Sequence, residues 1–340
     1  MRRAIVIAVL VVVAIWAAWW LERYRWAGGF RTVTPHFAGA CRPVEGVPGP
    51  EDLLVDRTTG IAYVSSYDRP AVRAGKPVPG AILAYDLNRR DAAPVNLTPR
   101  AAADFRPHGM SLYRGADGAR LFVINHPPGG DVVEVFDLRA DGLRHLRTIR
   151  DPALASANDL VAVDSNRFFV TNSRRHTTGV RGWLESNLRL SWGNVVYYDG
   201  ARFSTALDAI AFPNGIDVDR RTGDLYVVSS FDQSVRVYGR DAATGALTFR
   251  REVEVGTRLD NVNVSQDGDL WVAGRAQYLQ SPQPSQVVRI RRAGSSAASV
   301  EEVYVNKGDE IGNASAAAAH GRRLLIGSSG GNRFLDCLMR

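Results

Sequence analysis

Residues 213–230 read PNGIDVDRRTGDLYVVSS: a short polar pair, an alternating apolar run, a tight polar turn with Gly223, and a second apolar run. Period-two alternation rich in Val, Ile and Tyr on both sides of a turn predicts two antiparallel strands. The same phrase returns along the chain. It appears as PEDLLVDRTTGIAYVSS from Pro50, RPHGMSLYRGADGARLFVIN from Arg106 and ANDLVAVDSNRFFVTN from Ala157. It appears again as LDNVNVSQDGDLWVAGR from Leu259 and GNASAAAAHGRRLLIGSS from Gly312. Further strand-like runs lie between the copies, among them AILAYDL from Ala81, VVEVFDL from Val132, VVYYDG from Val195 and SVRVYGR from Ser234. A period of roughly 45–57 residues is that of a four-stranded propeller blade. Six copies predict an all-β, six-bladed β-propeller over residues 41–340.

In a propeller the first strand of each blade lines the central channel, so equivalent positions of all blades face one axis. Those positions are Glu51-Asp52, His108-Gly109, Asn158-Asp159, Asn214-Gly215, Asp260-Asn261 and Asn313-Ala314. Asn and Asp also shape turns that enter strands. Four carboxylates and several amides converging on one channel, however, form a set of hard oxygen donors suited to Ca²⁺. One imidazole and no thiol do not make a zinc site. Two Ca²⁺ would neutralise Glu51, Asp52, Asp159 and Asp260 together.

The N-terminus is of another kind. Arg2 and Arg3 precede an uncharged apolar run from Ala4 to Leu21, roughly 27 Å long as a helix and sufficient to span a bilayer core. Trp16, Trp19, Trp20, Tyr24 and Trp26 resemble an interfacial belt, and no small-residue cleavage site follows closely. Residues 1–25 are therefore expected to be an uncleaved signal anchor or transmembrane helix, and 26–40 a linker. The chain's two cysteines, Cys41 and Cys337, bracket the soluble part. They suggest either a disulfide joining the termini in an oxidising compartment or two unrelated buried thiols. On the chain-entropy model such a bridge would contribute about 5–6 kcal/mol. The propeller is expected outside the cytoplasm, periplasmic or extracellular. The formal charge of +7 does not read as nucleic-acid binding, because the arginines are scattered and no basic run is interleaved with aromatics.

The chain resembles the paraoxonase/arylesterase family, through Glu51-Asp52, Pro107-His108-Gly109, Asn125-His126-Pro127, Asn158-Asp159, Phe212-Pro213-Asn214-Gly215 and Asp260-Asn261. The resemblance runs over nearly the whole chain. It implies a calcium-dependent lactonase and arylesterase acting on small-molecule lactones and esters. It further implies a catalytic Ca²⁺ on Glu51, Asn158, Asn214, Asp260 and Asn261, and a structural Ca²⁺ on Asp52, Asp159 and the backbone carbonyl of Met110. His108 would be the general base, with His126 orienting it or relaying its proton. Cys41 and Cys337 match the pair that ties the terminal strands of one blade. A liganding carboxylate, Glu51 or Asp260, remains an alternative base. Two positions depart from the pattern: Arg275-Ala276 stand near Gly274 where a histidine is usual, and Ser173-Arg174 where an acid and a histidine are usual.

GWLESNLRLSW, Gly182 to Trp192, sets Trp183, Leu184, Asn187, Leu188 and Trp192 at near-helical spacing. It resembles the family's amphipathic helix over the site face, which touches lipid; a helix packed on the propeller top is the other reading. Tyr67 to Gly80, with Pro70, Gly75, Pro77 and Pro79, reads as a long connection or a lid. Gly327-Ser328-Ser329-Gly330-Gly331 matches G-x-S-x-G formally, but no histidine follows it in the chain, so a nucleophile elbow is not expected. Two alternatives stand beside the lactonase: a gluconolactonase-type hydrolase of sugar lactones, and a calcium-stabilised binding propeller without catalysis. His108 separates the last, since a scaffold needs no imidazole beside its metal.

Overall fold

The computed structural model describes residues 1–76 and 78–340. Among these, six antiparallel sheets carry the repeat, five of four strands and one of five. The innermost strands are Pro50–Asp56, Pro107–Gly115, Ala157–Ala162, Pro213–Val218, Arg258–Val264 and Ala314–His320. Each packs against the next and the sixth against the first, which closes the ring. This is the six-bladed all-β propeller that the repeat predicts.

The core lies between blades, because each strand alternates its apolar side chains toward the two neighbouring sheets. Phe122, Ile124, Leu160, Phe168 and Val170 fill one seam, and Val228, Val262, Leu270 and Val272 another. Each such side chain contributes about 1.5–3 kcal/mol of burial.

One structural detail recurs in every blade. The pairing of the first two strands slips at the same place: after Pro50, Pro107, Ala157, Pro213, Leu259 and Ala314. A bulge there frees one or two residues from the ladder and re-aims their side chains. In the second to fifth blades the freed residues are both members of the polar pair, in the first blade Glu51 alone, and in the sixth Ser315, one residue beyond the pair. Two of them are glycines because the next blade presses against them. A Cβ on Gly109 would stand 2.5 Å from the Asp159 Cα, and one on Gly215 2.5 Å from the Val262 nitrogen.

The ring is closed by the N-terminus. Gly39–Glu45 forms the outer strand of the sixth blade, paired with Arg333–Met339, and places Cys41 directly opposite Cys337, to which it is disulfide-bonded. His36–Phe37 adds the fifth strand to the fifth blade. Because the bridge spans 296 residues, replacing both cysteines by serine is expected to cost at least about 3 kcal/mol. Denaturant unfolding of the two proteins checks this, and an unchanged midpoint would assign closure to strand pairing alone.

Helix α1, Arg2–Trp26, is long and apolar enough to cross a membrane, with mean hydropathy 2.7 and nothing buried in its apolar window. Its end is docked: Trp26 Nε1 donates to the Phe231 carbonyl at 2.9 Å, and Tyr278 N–H to the Ala27 carbonyl at 2.9 Å. The Tyr67–Gly80 connection is not wholly irregular. It contains a short helix α2, Arg69–Arg73, capped by the Asp68 carboxylate, which accepts from Ala71 N–H at 2.9 Å; Pro77 lies outside the described residues. Helix α3, Gly179–Asn187, is shorter than the spacing of Gly182 to Trp192 suggests. Arg189 at φ 53° turns the chain away, and Trp192 packs edge-on against His176. Val180, Trp183 and Leu188 remain exposed.

Candidate metal centre and histidine pair

Strand order puts the polar pairs at the end of the channel where the second-to-third-strand connections also emerge, so α2, α3 and the docked end of α1 share one face with the site. Glu51, Asp52, Asp159, Asn214, Asp260 and Asn261 are all buried, each under 8% exposed. Four oxygens from four blades, Glu51 Oε2, Asn158 Oδ1, Asn214 Oδ1 and Asn261 Oδ1, are buried without a hydrogen-bond donor. Buried polar atoms are nearly always satisfied, and a bound cation would relieve this shared deficit. Asp260 adjoins it, accepting from Asn214 Nδ2 at 2.6 Å and from Arg275 Nη2 at 2.5 Å. No three His, Cys, Asp or Glu side chains group together as a metal cluster among the described residues. The donors here are instead mostly amides, which suits Ca²⁺.

One step deeper, Asp52 accepts from Met110 N–H at 2.7 Å and Leu53 N–H at 2.8 Å. Asp159 accepts from Ile216 N–H at 2.9 Å and Leu160 N–H at 2.8 Å. Ser65 and Thr171 hydroxyls receive the N–H groups of the two aspartates at 3.2 and 3.1 Å. Burial pushes both carboxyls well above the usual range, and neighbouring charge adds to it, that of Glu51 on Asp52 and of Asp52 on Asp159. Met110 is shown by its N–H; Asp217, not expected from the sequence, repeats the pattern in blade four, accepting from Val218 and Val264 N–H groups at 2.7 Å. It lines a cavity of about 210 Å³ at the far end of the channel.

The sixth blade supplies no oxygen from the Asn313-Ala314 pair. Asn313 sits at φ 58° ahead of its strand, and Ser315 Oγ instead donates to the Glu51 carbonyl at 2.6 Å.

Beside the oxygens stand the two histidines. His108 Nδ1 lies 2.7 Å from His126 Nε2, and His126 Nδ1 lies 2.7 Å from Asp131 Oδ1. Asp131 is fixed in turn by Ala157 N–H, 2.8 Å from its other oxygen. His108 Nε2 faces Glu51 Oε2 at 3.2 Å, off a hydrogen-bonding line. Burial lowers the His126 pKa in spite of Asp131. Burial would raise Glu51, but the facing His108 and then Arg69 and Arg275 outweigh it and hold its pKa at about 2.

Sequence reasoning missed Asp131, five residues beyond His126, and the arginines. The departures have visible partners: Ser173 Oγ donates to the Pro213 carbonyl at 3.1 Å, and Arg174 reaches Ser186 on α3 at 3.5 Å. Ser329 is no nucleophile in an elbow; its hydroxyl accepts from Arg275 at 3.1 Å.

Solved structures share this architecture. A gluconolactonase from Xanthomonas campestris aligns with TM-score 0.58 at 17% identity, covering 91% of this chain and 99% of that one. A calcium-binding regucalcin from Agrobacterium tumefaciens aligns with TM-score 0.55 at 14% identity, covering 91% and 98%. Sequence relatives are nearer. Human serum paraoxonase/arylesterase 1 is 30% identical over 316 residues, 88% of each chain. Its rat counterpart is 32% identical over 323 residues, 88% of this chain and 89% of the relative. The family model described as Arylesterase matches residues 40–337, from the strand that closes the ring to the cysteine that locks it. Since that match takes in every blade and every axial residue described above, the chain belongs to the arylesterase family.

Proposed function

We propose that this chain is a calcium-dependent hydrolase of lactones and simple esters, tethered by α1 with its propeller outside the cytoplasm. The observation that carries the reading is the set of four donorless oxygens beside a histidine pair. Glu51, Asn158, Asn214, Asp260 and Asn261 would hold the upper ion, and Asp52, Asp159 and the Met110 carbonyl a second one below. When bound, Ca²⁺ supplies Lewis-acid polarisation of the substrate carbonyl.

The remaining chemistry belongs to the side chains. Asp131 accepts a hydrogen bond from His126 Nδ1–H, which leaves His126 Nε2 as an acceptor. His108 Nδ1–H donates to it, and this fixes the tautomer in which His108 Nε2 carries the lone pair. That nitrogen faces the oxygen set and is placed to take a proton from the attacking water. Depressed burial-driven basicity keeps His126 neutral, as an acceptor must be. Glu51 is one of the residues that would hold the ion, and both Asp260 oxygens are already engaged. The exposed Val180 and Trp183 of α3, with Leu188 just past its end, offer a second apolar contact for the membrane.

The test is pH-stat hydrolysis of aliphatic γ- and δ-lactones, with glucono-δ-lactone alongside, by the full chain in detergent. Turnover of the aliphatic substrates is expected. Preference for the sugar lactone would make it a gluconolactonase-type enzyme, and no turnover of either, with calcium still raising Tm, would make it a binding propeller.

A further inference from the structure

Among the described residues, one arginine is ion-paired with the candidate oxygen set. Arg275 Nη2 lies 2.5 Å from Asp260 Oδ2, and both side chains are largely buried, 14% and 9% exposed. The fold builds this pair. The slipped pairing after Leu259 releases Asp260 from its ladder, and Arg275 ends the adjoining strand, Leu270–Arg275. Thr257 Oγ1 donates to the Arg275 carbonyl at 3.0 Å, and the guanidinium also donates to Ser329 Oγ of the sixth blade at 3.1 Å. Two blades thus hold one positive charge against a carboxylate proposed to bind calcium.

The other oxygen of that carboxylate accepts from Asn214 Nδ2 at 2.6 Å. Each oxygen keeps a second lone pair, so a cation shares Asp260 with these donors rather than being shut out. What the guanidinium changes is the charge. Glu51 and Asp260 are the two carboxylates of the five upper residues, and Arg275 offsets one of them. Attraction for a divalent ion scales with the charge that remains. The field of Arg275 reaches the first blade too: against burial, the Glu51 carboxyl is held down by His108, Arg69 and Arg275. The deeper pair differs, since Asp52 and Asp159 accept from backbone N–H groups.

We propose that Arg275 sets the calcium affinity of the upper site, its fixed charge on Asp260 holding that affinity below what the oxygens alone would give. The inference rests on the calcium reading above and adds a control on the same site.

Calcium uptake by the full-length protein is followed by calorimetry, with Tm recorded in chelator and in calcium, for wild type, Arg275→Gln and Arg275→Lys. Asn214→Ala identifies the upper step, because it removes an oxygen of that set alone. Arg275→Gln should tighten the upper step by at least about tenfold and leave the deeper step unchanged, as an internal control. Arg275→Lys keeps the charge and should stay near wild type. Removing one partner of a buried pair leaves the other uncompensated, so Arg275→Gln should also lose Tm in chelator and regain it in calcium. A variant folded only with calcium would support the proposal in the same way, the ion supplying the charge that the guanidinium gave. An upper step unchanged or loosened in Arg275→Gln, or a variant unfolded even with calcium, would overturn it and leave the calcium reading in place. A wild type that takes up no calcium would sink that reading, and this inference with it.

Discussion

Chelating the full-length protein with EDTA is expected to abolish lactone turnover and lower Tm by roughly 10 °C, and added Ca²⁺ should restore both. The reason is the state the chain is left in without cations. Four buried oxygens lack donors, each a deficit of about 1–3 kcal/mol. Asp52 and Asp159 are buried carboxyls driven up by burial and by neighbouring charge, that of Glu51 on Asp52 and of Asp52 on Asp159. Ligand at about a thousand times its Kd stabilises the folded form by about 4 kcal/mol, and each kcal/mol moves Tm of a large domain by roughly 2–4 °C. The two sites should also separate. Asp159→Ala should remove most of the thermal response, whereas Asn214→Ala should lose turnover and keep that response. Turnover that survives exhaustive chelation would sink the metal reading outright.

His108→Gln is the second large effect. It should lower kcat by about 10²–10⁴, the usual range for a general base, with the calcium-induced rise in Tm intact. Asp131→Asn should lower kcat less, by about 10–100-fold. An amide still fills the space between His126 and Ala157 N–H, but it no longer enforces the tautomer. The ordering of the two variants is the informative part. Equal losses would give Asp131 a structural duty as well, through its hold on the third blade. Full activity in His108→Gln would move the base to another group near the oxygen set.

Much of this was readable in the sequence because the fold is periodic. Six copies of one phrase suffice to align the blades, and the polar pairs fall at one position of each copy, so their convergence follows from geometry alone. The disulfide was readable because only one pairing of two cysteines exists. Asp131 was not, since the turn from His126 through Pro127, Pro128, Gly129 and Gly130 could return its carboxylate to the histidine or send it to solvent. Arg69 and Arg258 were equally hidden. Their settings depend on a short helix in the first blade for Arg69 and, for Arg258, on an aromatic wall drawn from three separate segments, Phe212, Phe231 and Tyr278. The extent of α3 was overestimated because helical spacing continues past Asn187, while the backbone at Arg189 does not.

The slipped pairing in each inner strand has a bearing on how such an enzyme changes. A residue released from the ladder contributes nothing to strand register, so exchanging it leaves the hairpin and the seams on either side undisturbed. Chemistry at the axis can thus be rewritten one blade at a time. A blade can present an acid, an amide, an imidazole or a hydroxyl, as Glu51, Asn158, His108 and Ser315 do here. The liability is equally local: where the neighbour leans in, at Gly109 and Gly215, this freedom ends, and those two positions should be the least forgiving of any in the ring.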